Sequence, residues 1–221
     1  MSTASAMSLN LPIIVIAGGQ SQRLQLENYQ RKWQLPFGQT TLLQHMLDLA
    51  SQLSQEVLIN SSGADTALLS DYPYPVINDE ISQGPLSGLL CALGWGTKKG
   101  HKYIVTLPCD TPFISKQWII HLYEQLQTSQ SEALISRHKE DIHPLCGIWS
   151  THLAADLRVF MNTNKKKAVY RWAKEHAEPM DYTPVNKDGD FSIDPFMNIN
   201  TLEEYERALS LNAKKLAAKS K

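Results

Sequence analysis

The chain has 221 residues, of which 43% are apolar and 19% charged. These proportions are typical of an ordinary globular protein with one large core. The net charge of -1 argues against a surface-wide attraction to nucleic acid, so a phosphate site must be a local arrangement. Cys91, Cys109 and Cys146 are scattered and lack C-x-x-C spacing, which argues against a disulfide framework or a zinc site and favours the reducing cytoplasm.

Both ends of the chain are predicted to lie outside the folded domain. Residues 1–10 lack a basic n-region and are expected to form a disordered lead, and the apolar run 11–17 is too short to span a bilayer. Residues 210–221 are rich in Ala and Lys and are predicted to be a basic tail, the frayed end of a last helix. A single domain is therefore expected over residues 11–209, with no targeting segment and no membrane contact.

Strands and helices are predicted to alternate along the chain, because short β-branched runs are separated by apolar residues at helical spacing. In chain order the elements are strand 11–17, helix 40–54, strand 56–60, helix 84–96, strand 102–108, helix 115–127 and strand 132–136. Helix starts are marked by the capping pairs Thr41 with Gln44 and Thr201 with Glu204, and by Ser115 as an N-cap. This order predicts an α/β fold with a doubly wound, mainly parallel, Rossmann-like sheet. Such sheets bind ligands at the carboxyl ends of their strands.

The first predicted strand ends in Ala17-Gly18-Gly19, at that ligand-binding edge. Adjacent glycines let backbone N–H groups approach an anion or a base closely. The spacing matches neither GxGxxG nor the P-loop. Arg23 and Lys32 follow in the same loop and offer a guanidinium fork and a point charge for a triphosphate. The alternative is a plain Gly-Gly turn with two solvated charges.

A carboxylate follows the predicted central strand 102–108. Asp110 lies between Pro108 and Pro112, which stiffen the loop. An acidic residue at this strand end faces the same crevice as the glycine loop, where a carboxylate is a natural anchor for Mg²⁺. The alternative is that Asp110 caps a helix after Pro112, but its co-location with the glycine loop favours the metal.

Three further segments are candidates for ligand contact. The segment 84–88, GPLSG, begins a helix whose first N–H groups either meet a ligand or form a plain helix start. His143-Pro144 is by itself an extended loop dipeptide. Asn198 and Asn200 alternate with apolar residues on a predicted strand, which puts both amides on one face.

In order along residues 11–209, the segments IAGGQSQR, NDEISQGPLSG, LPCDTPF, HPL and FMNINTLEEY resemble those of the bacterial molybdenum cofactor guanylyltransferases. The AGGxSxR pattern is shared by many nucleotidyltransferases, whereas GPLSG, PCDTPF and the late Asn-x-Asn are more specific. The resemblance implies a nucleotidyltransferase fold and transfer of GMP from GTP to the phosphate of Mo-molybdopterin, with release of pyrophosphate. It also implies Mg²⁺ as cofactor.

The resemblance implies a role for each matching residue. Arg23, Lys32 and Asp110 are expected to be catalytic, with Asp110 holding the metal. The expected nucleotide contacts are Ile16, Ala17, Gly18, Gly19, Lys32, Asn60, Asp79, Gly84 and Asp110. The expected pterin-side residues are His143, Asn198 and Asn200. Positioning and charge neutralisation meet the needs of phosphoryl-type transfer, and no nucleophile with an activating base is visible in the sequence.

The chain departs from the family pattern in the loop before Lys32. Leu24 and Gln25 follow Arg23 where the family has Met-Gly, the loop is longer, and Arg31 stands where the family has Asp. Because Gln cannot cheaply adopt the conformations open to Gly, a different loop path is expected, with either Lys32 or Arg31 supplying the cation.

Other functions stay open at this point. They are a cytidylyltransferase acting on the same pterin, a sugar-phosphate or terpenoid-precursor nucleotidyltransferase, and a non-catalytic module that binds nucleotide or pterin. The GPLSG segment favours guanine over cytosine. The expected partners are small-molecule substrates, with cofactor biosynthesis proteins and acceptor molybdoenzymes as protein partners, for a chain that is a monomer or a weak homo-oligomer.

Overall fold

The computed structural model describes residues 8–18, 29, 31–79, 84–163, 169–182 and 193–219. The strands are β1 Ile13–Ile16, β2 Pro36–Phe37, β3 Thr40–Thr41, β4 Val57–Ser61, β5 Val76–Asn78, β6 Tyr103–Pro108, β7 Ala133–His138, β8 Asp141–Ser150 and β9 Glu178–Asp181. The α-helices are α1 Leu42–Ser51, α2 Pro85–Lys99, α3 Lys116–Thr128, α4 Leu153–Thr163, α5 Val169–His176 and α6 Leu202–Lys219. Short 3₁₀ helices span Lys32–Gln34 and Gly63–Leu69. None of these helices is long and apolar enough to cross a membrane.

Among the described residues, seven strands form one sheet in the order β5-β4-β1-β6-β8-β7-β9, and β2 pairs with β3 in a separate small ribbon. The strands β5, β4, β1 and β6 run parallel, and β8 runs antiparallel to both β6 and β7. This confirms the predicted α/β fold with a mainly parallel, doubly wound sheet. The strand β8 was not predicted, because its first half mixes polar and apolar residues and contains Pro144, which is atypical of a strand paired on the inside of a sheet.

Successive residues of a strand point to opposite sides of the sheet, and helices pack against both sides. In β1, Ile13 and Val15 pack in a core that includes side chains of α1 and α3. Ile14 lies on the other face, in a core that includes side chains of α2, α4 and α5. Every residue of β1 is buried, as expected for the centre of a parallel sheet.

The predicted helix starts are confirmed by their caps. The hydroxyl of Thr41 accepts a hydrogen bond from the Gln44 backbone N–H at 3.1 Å, and that of Ser115 accepts one from the next turn. At α6, Thr201 and Glu204 form the full reciprocal capping box. This last helix runs to Lys219, so it includes most of the residues predicted as a basic tail.

A third apolar cluster joins α6 to the β2–β3 ribbon and includes Ile199 and Tyr205. The prediction of a strand at Asn198 and Asn200 is wrong. The segment is irregular, because the backbone N–H of Ile199 bonds the carbonyl of Asp110 at 3.0 Å instead of a neighbouring strand. The two amides nevertheless share an exposed side while Ile199 between them is fully buried.

Candidate active site

A cavity of about 820 Å³ lies at the carboxyl ends of the parallel strands, beside β8. Most of the predicted site residues line it, namely Ile16, Gly18, Lys32, Asn60, Asp79, Gly84, Asp110, His143, Asn198 and Asn200. Ala17 is buried, and its backbone N–H donates to the carbonyl of Asn60 within the sheet. Gly19 and Arg23 lie outside the described residues. The fold therefore brings together motifs that are far apart in the sequence.

Lys32 is the central cation of this cavity. Its ammonium donates to Oδ2 of Asp110 at 2.7 Å and to the amide oxygen of Asn200 at 2.8 Å. The two charged side chains are only 11% and 16% exposed, so their attraction is weakly screened. The other carboxylate oxygen of Asp110, Oδ1, is buried and has no hydrogen-bond partner among the described residues. It is therefore available to a ligand.

A polar pair lies at the ends of β4 and β5. Asn60 is fully buried, and its amide nitrogen donates to the carboxylate of Asp79 at 2.8 Å. Burial raises the pKa of Asp79 above its ordinary value, and the hydrogen bond from Asn60 partly offsets this rise. The glycine at position 88 of α2 leaves room for the Asn60 amide, because a Cβ there would lie 2.5 Å from its oxygen. In the part of the chain that the structure describes, that oxygen also lacks a hydrogen-bond partner.

His143 lies on the opposite side of the cavity, in strand β8 instead of an extended loop. Its ring stacks on Phe196 with centroids 4.7 Å apart. The pKa of His143 is lowered, mainly by burial, which favours the neutral imidazole. Its Nε2 atom is buried and finds no hydrogen-bond partner within the described ranges. Like Oδ1 of Asp110 and the amide oxygen of Asn60, this nitrogen is a polar atom available to a ligand.

An ion pair that the sequence analysis missed forms another wall of the cavity. Nε of Arg31 lies 2.5 Å from Oδ1 of Asp65, and the hydroxyl of Ser62 donates to Oδ2 at 3.1 Å. The position of Asp65 could have been anticipated, because it follows the predicted strand 56–60 and so lies at the binding edge of the sheet. Of the two candidate cations, Lys32 is the one that contacts Asp110, and Arg31 is the one that contacts Asp65.

The cysteines are all free thiols. Burial raises the pKa of Cys109 and of Cys146 well above the ordinary value, so neither is a thiolate nucleophile. No group of three or more His, Cys, Asp or Glu side chains is arranged to hold a metal among the residues described. A metal bound here would need oxygen atoms from a substrate or from water.

The mainly parallel sheet, with the Lys32–Asp110 pair and the Asn60–Asp79 pair at its carboxyl edge, is the arrangement expected of an α/β nucleotidyltransferase. The family model for the MobA-like NTP transferase domain matches residues 13–179, and the chain belongs to this family. The resemblance noted from the motifs is confirmed.

Individual proteins agree with this assignment. The chain is 32% identical over 198 residues to the molybdenum cofactor guanylyltransferase of Rhizobium leguminosarum, covering 88% of this chain and 90% of the relative. It resembles in fold the molybdopterin-guanine dinucleotide biosynthesis protein A of Archaeoglobus fulgidus, with a TM-score of 0.74 and 21% identity over 92% of this chain and all of that one. A manganese complex of a Mycobacterium tuberculosis protein has the same fold, with a TM-score of 0.65 and 18% identity over 90% and 98% of the two chains.

Proposed function

We propose that this nucleotidyltransferase transfers GMP from GTP to the phosphate of Mo-molybdopterin and releases pyrophosphate. The observation that carries the proposal is the contact of Lys32 with both Asp110 and Asn200. It joins the glycine-loop, PCDTPF and Asn-x-Asn segments at one point of the cavity. The name of the Rhizobium relative supports the same substrates.

The nucleotide base is proposed to bind at Asn60 and Asp79. A carboxylate is an acceptor-only group, and guanine presents two adjacent N–H donors on its pairing edge. Cytosine presents one amino donor beside acceptors, so it matches a carboxylate less well. The hydrogen bond from Asn60 fixes the direction of the Asp79 carboxylate, which makes the preference for guanine geometric as well as electrostatic.

Asp110 is proposed to hold Mg²⁺. The buried and unpaired Oδ1 atom fits a hard cation, which prefers oxygen ligands. A single carboxylate is enough, because Mg²⁺ is commonly held by one or two carboxylates together with substrate phosphates and water. The manganese complex of the mycobacterial protein supports a divalent metal in this fold. When bound, the metal supplies charge neutralisation on the phosphates.

In the proposed reaction, an oxygen of the pterin phosphate forms a bond to the α-phosphorus of GTP, and the bond from that phosphorus to the bridging oxygen of pyrophosphate breaks. The attacking phosphate is already an anion, so the protein does not have to remove a proton from it. Lys32 orients the α-phosphate and balances its charge. Arg23 is proposed to assist from the glycine loop.

The pterin is proposed to lie on the β8 side, near His143, Asn198 and Asn200. The neutral His143 ring offers its unpaired Nε2 to the polar edge of the pterin. Its stacking on Phe196 keeps the ring orientation fixed. The nucleotide and the pterin would then meet over Asp110, which lies between the two halves of the cavity.

The test is release of pyrophosphate by the purified protein with Mg²⁺, with and without Mo-molybdopterin, in separate reactions with GTP, CTP, ATP and UTP. Release that requires both GTP and the pterin is expected. Pterin-dependent release with CTP but not with GTP would contradict guanine recognition at Asp79 and assign a cytidylyltransferase. Binding of GTP without any turnover would refute the transfer reaction itself.

A further inference from the structure

We propose that Arg31, held in place by Asp65, binds the triphosphate of the nucleotide as a second cation beside Lys32. This inference rests on the proposed function, since it names a further binding residue of the same site. Asp65 is a positioning residue in this proposal, acting through Arg31.

Asp65 holds Arg31 through a short contact, 2.5 Å from the guanidinium Nε to Oδ1. The second oxygen of the carboxylate accepts the hydroxyl of Ser62 at 3.1 Å. The Arg31 backbone is fixed as well, because its N–H donates to the side chain of Gln34 at 3.2 Å. The ion pair thus fixes the guanidinium, and the hydrogen bond to Gln34 fixes the backbone from which the side chain extends.

The burial of the two partners is unequal. The side chain of Asp65 is 3% exposed, whereas that of Arg31 is 25% exposed. A buried carboxylate is costly without a cation, so Asp65 strongly favours the position of Arg31 seen here. Both residues line the cavity, and Arg31 is the more exposed of the two, so the cation is the partner that a ligand in the cavity can reach.

The order of the strands places this pair on the expected path of the triphosphate. Asp65 follows β4, and the proposed base site lies at the ends of β4 and β5. Asp110 follows β6, on the other side of β1. A nucleotide that spans from the base site to Asp110 passes over the end of β1, within the cavity that Arg31 and Lys32 both line.

Arginine suits this position better than lysine. A planar guanidinium can engage a carboxylate through one edge and phosphate oxygens through another, whereas an ammonium is a point charge. Because Asp65 orders the side chain in advance, little conformational entropy is lost when the ligand binds.

The experiment compares Arg31→Met, Asp65→Asn and the double variant Arg31→Met/Asp65→Asn by calorimetric titration with GTP and with guanosine, in the presence of Mg²⁺. The double variant removes both charges, so it avoids an unpaired buried carboxylate. The matched control is Arg137→Met/Asp181→Asn, which removes an exposed two-bond Arg–Asp pair outside the cavity.

We expect both variants that lack Arg31 to bind GTP at least about tenfold more weakly, as for the loss of a charge-assisted hydrogen bond. Their affinity for guanosine is expected to stay within about twofold of wild type, and the control is expected to match wild type for both ligands. Asp65→Asn is expected to weaken GTP binding too, because Arg31 loses its anchor.

Two results would overturn the proposal. Wild-type GTP affinity in the double variant would mean that Arg31 only neutralises Asp65. An equal loss for GTP and guanosine would mean that the pair shapes the base site and does not bind phosphate. If wild-type protein binds CTP in place of GTP, guanine transfer is refuted, and the same variants tested with CTP and cytidine still decide the role of Arg31.

Discussion

A methyl group at position 88 would collide with the Asn60 amide in the wall of the cavity. In Gly88→Ala, the new Cβ would lie 2.5 Å from Oδ1 of Asn60 and 3.2 Å from Cγ2 of Ile16. Asn60 is fully buried and bonded to Asp79, so it cannot swing into solvent. To restore ordinary contact, the amide must move by about 1 Å, which disrupts that hydrogen bond.

Three contributions determine how much Gly88→Ala changes the free energy of unfolding. Overpacking costs about 1–3 kcal/mol, and weakening the bond from Asn60 to Asp79 costs about 1 kcal/mol more. Replacing a helical glycine by alanine offsets about 0.5–1 kcal/mol of this. The net decrease in the free energy of unfolding is therefore about 1–3 kcal/mol, or about 2–4 °C in Tm per kcal/mol for a chain of this size.

Gly94→Ala is the matched control, since it changes the same residue type in the same helix. A Cβ at Gly94 meets no atom within 4 Å, so this variant is expected to gain about 0.5–1 kcal/mol. Urea unfolding measures the free energy of unfolding of both variants, and titration with GTP measures their affinity at the proposed base site. Gly88→Ala is expected to bind GTP at least about tenfold more weakly. Equal stability and equal GTP affinity in the two variants would refute the close approach of α2 to Asn60.

Two further predictions concern the charged centre and pH. We expect pyrophosphate release to fall at least about a hundredfold in Lys32→Ala and in Asp110→Asn, with a native circular dichroism spectrum. The matched controls are substitutions of exposed residues, Lys99→Ala and Asp71→Asn, which are expected to leave the rate unchanged. An unchanged rate in Lys32→Ala would move the catalytic cation elsewhere. The pKa of His143 is lowered in the folded protein, so the unfolded chain takes up more protons as the pH falls below the ordinary value of 6.5, and the free energy of unfolding decreases. Urea unfolding at about pH 7.5 and about pH 5.5 is expected to show a smaller decrease for His143→Gln than for wild type, whereas an identical decrease would contradict the burial of the neutral ring.

Local patterns in the sequence determined the central strands, the helices between them and the caps at their starts. Buried parallel strands are recognisable because both faces are apolar, and caps are recognisable because they depend on neighbouring residues. Thr41 and Ser115 are examples. The binding edge was also predictable from local sequence, since Gly18 and Asp110 each come two residues after the end of a recognisable strand.

Contacts between distant segments could not be predicted in this way. The bond from Lys32 to Asn200 joins residues 168 positions apart, and no local pattern encodes it. The pairing of Arg31 with Asp65 depends on a 3₁₀ helix after β4 that has no strong sequence signature. Residues 197–200 have the alternation of a strand, yet packing against α6 and the bond to Asp110 hold them in an irregular path. Short-range propensity thus set the elements of this protein, whereas only the packing of those elements decided which polar side chains meet, because burial and partner choice depend on the whole fold.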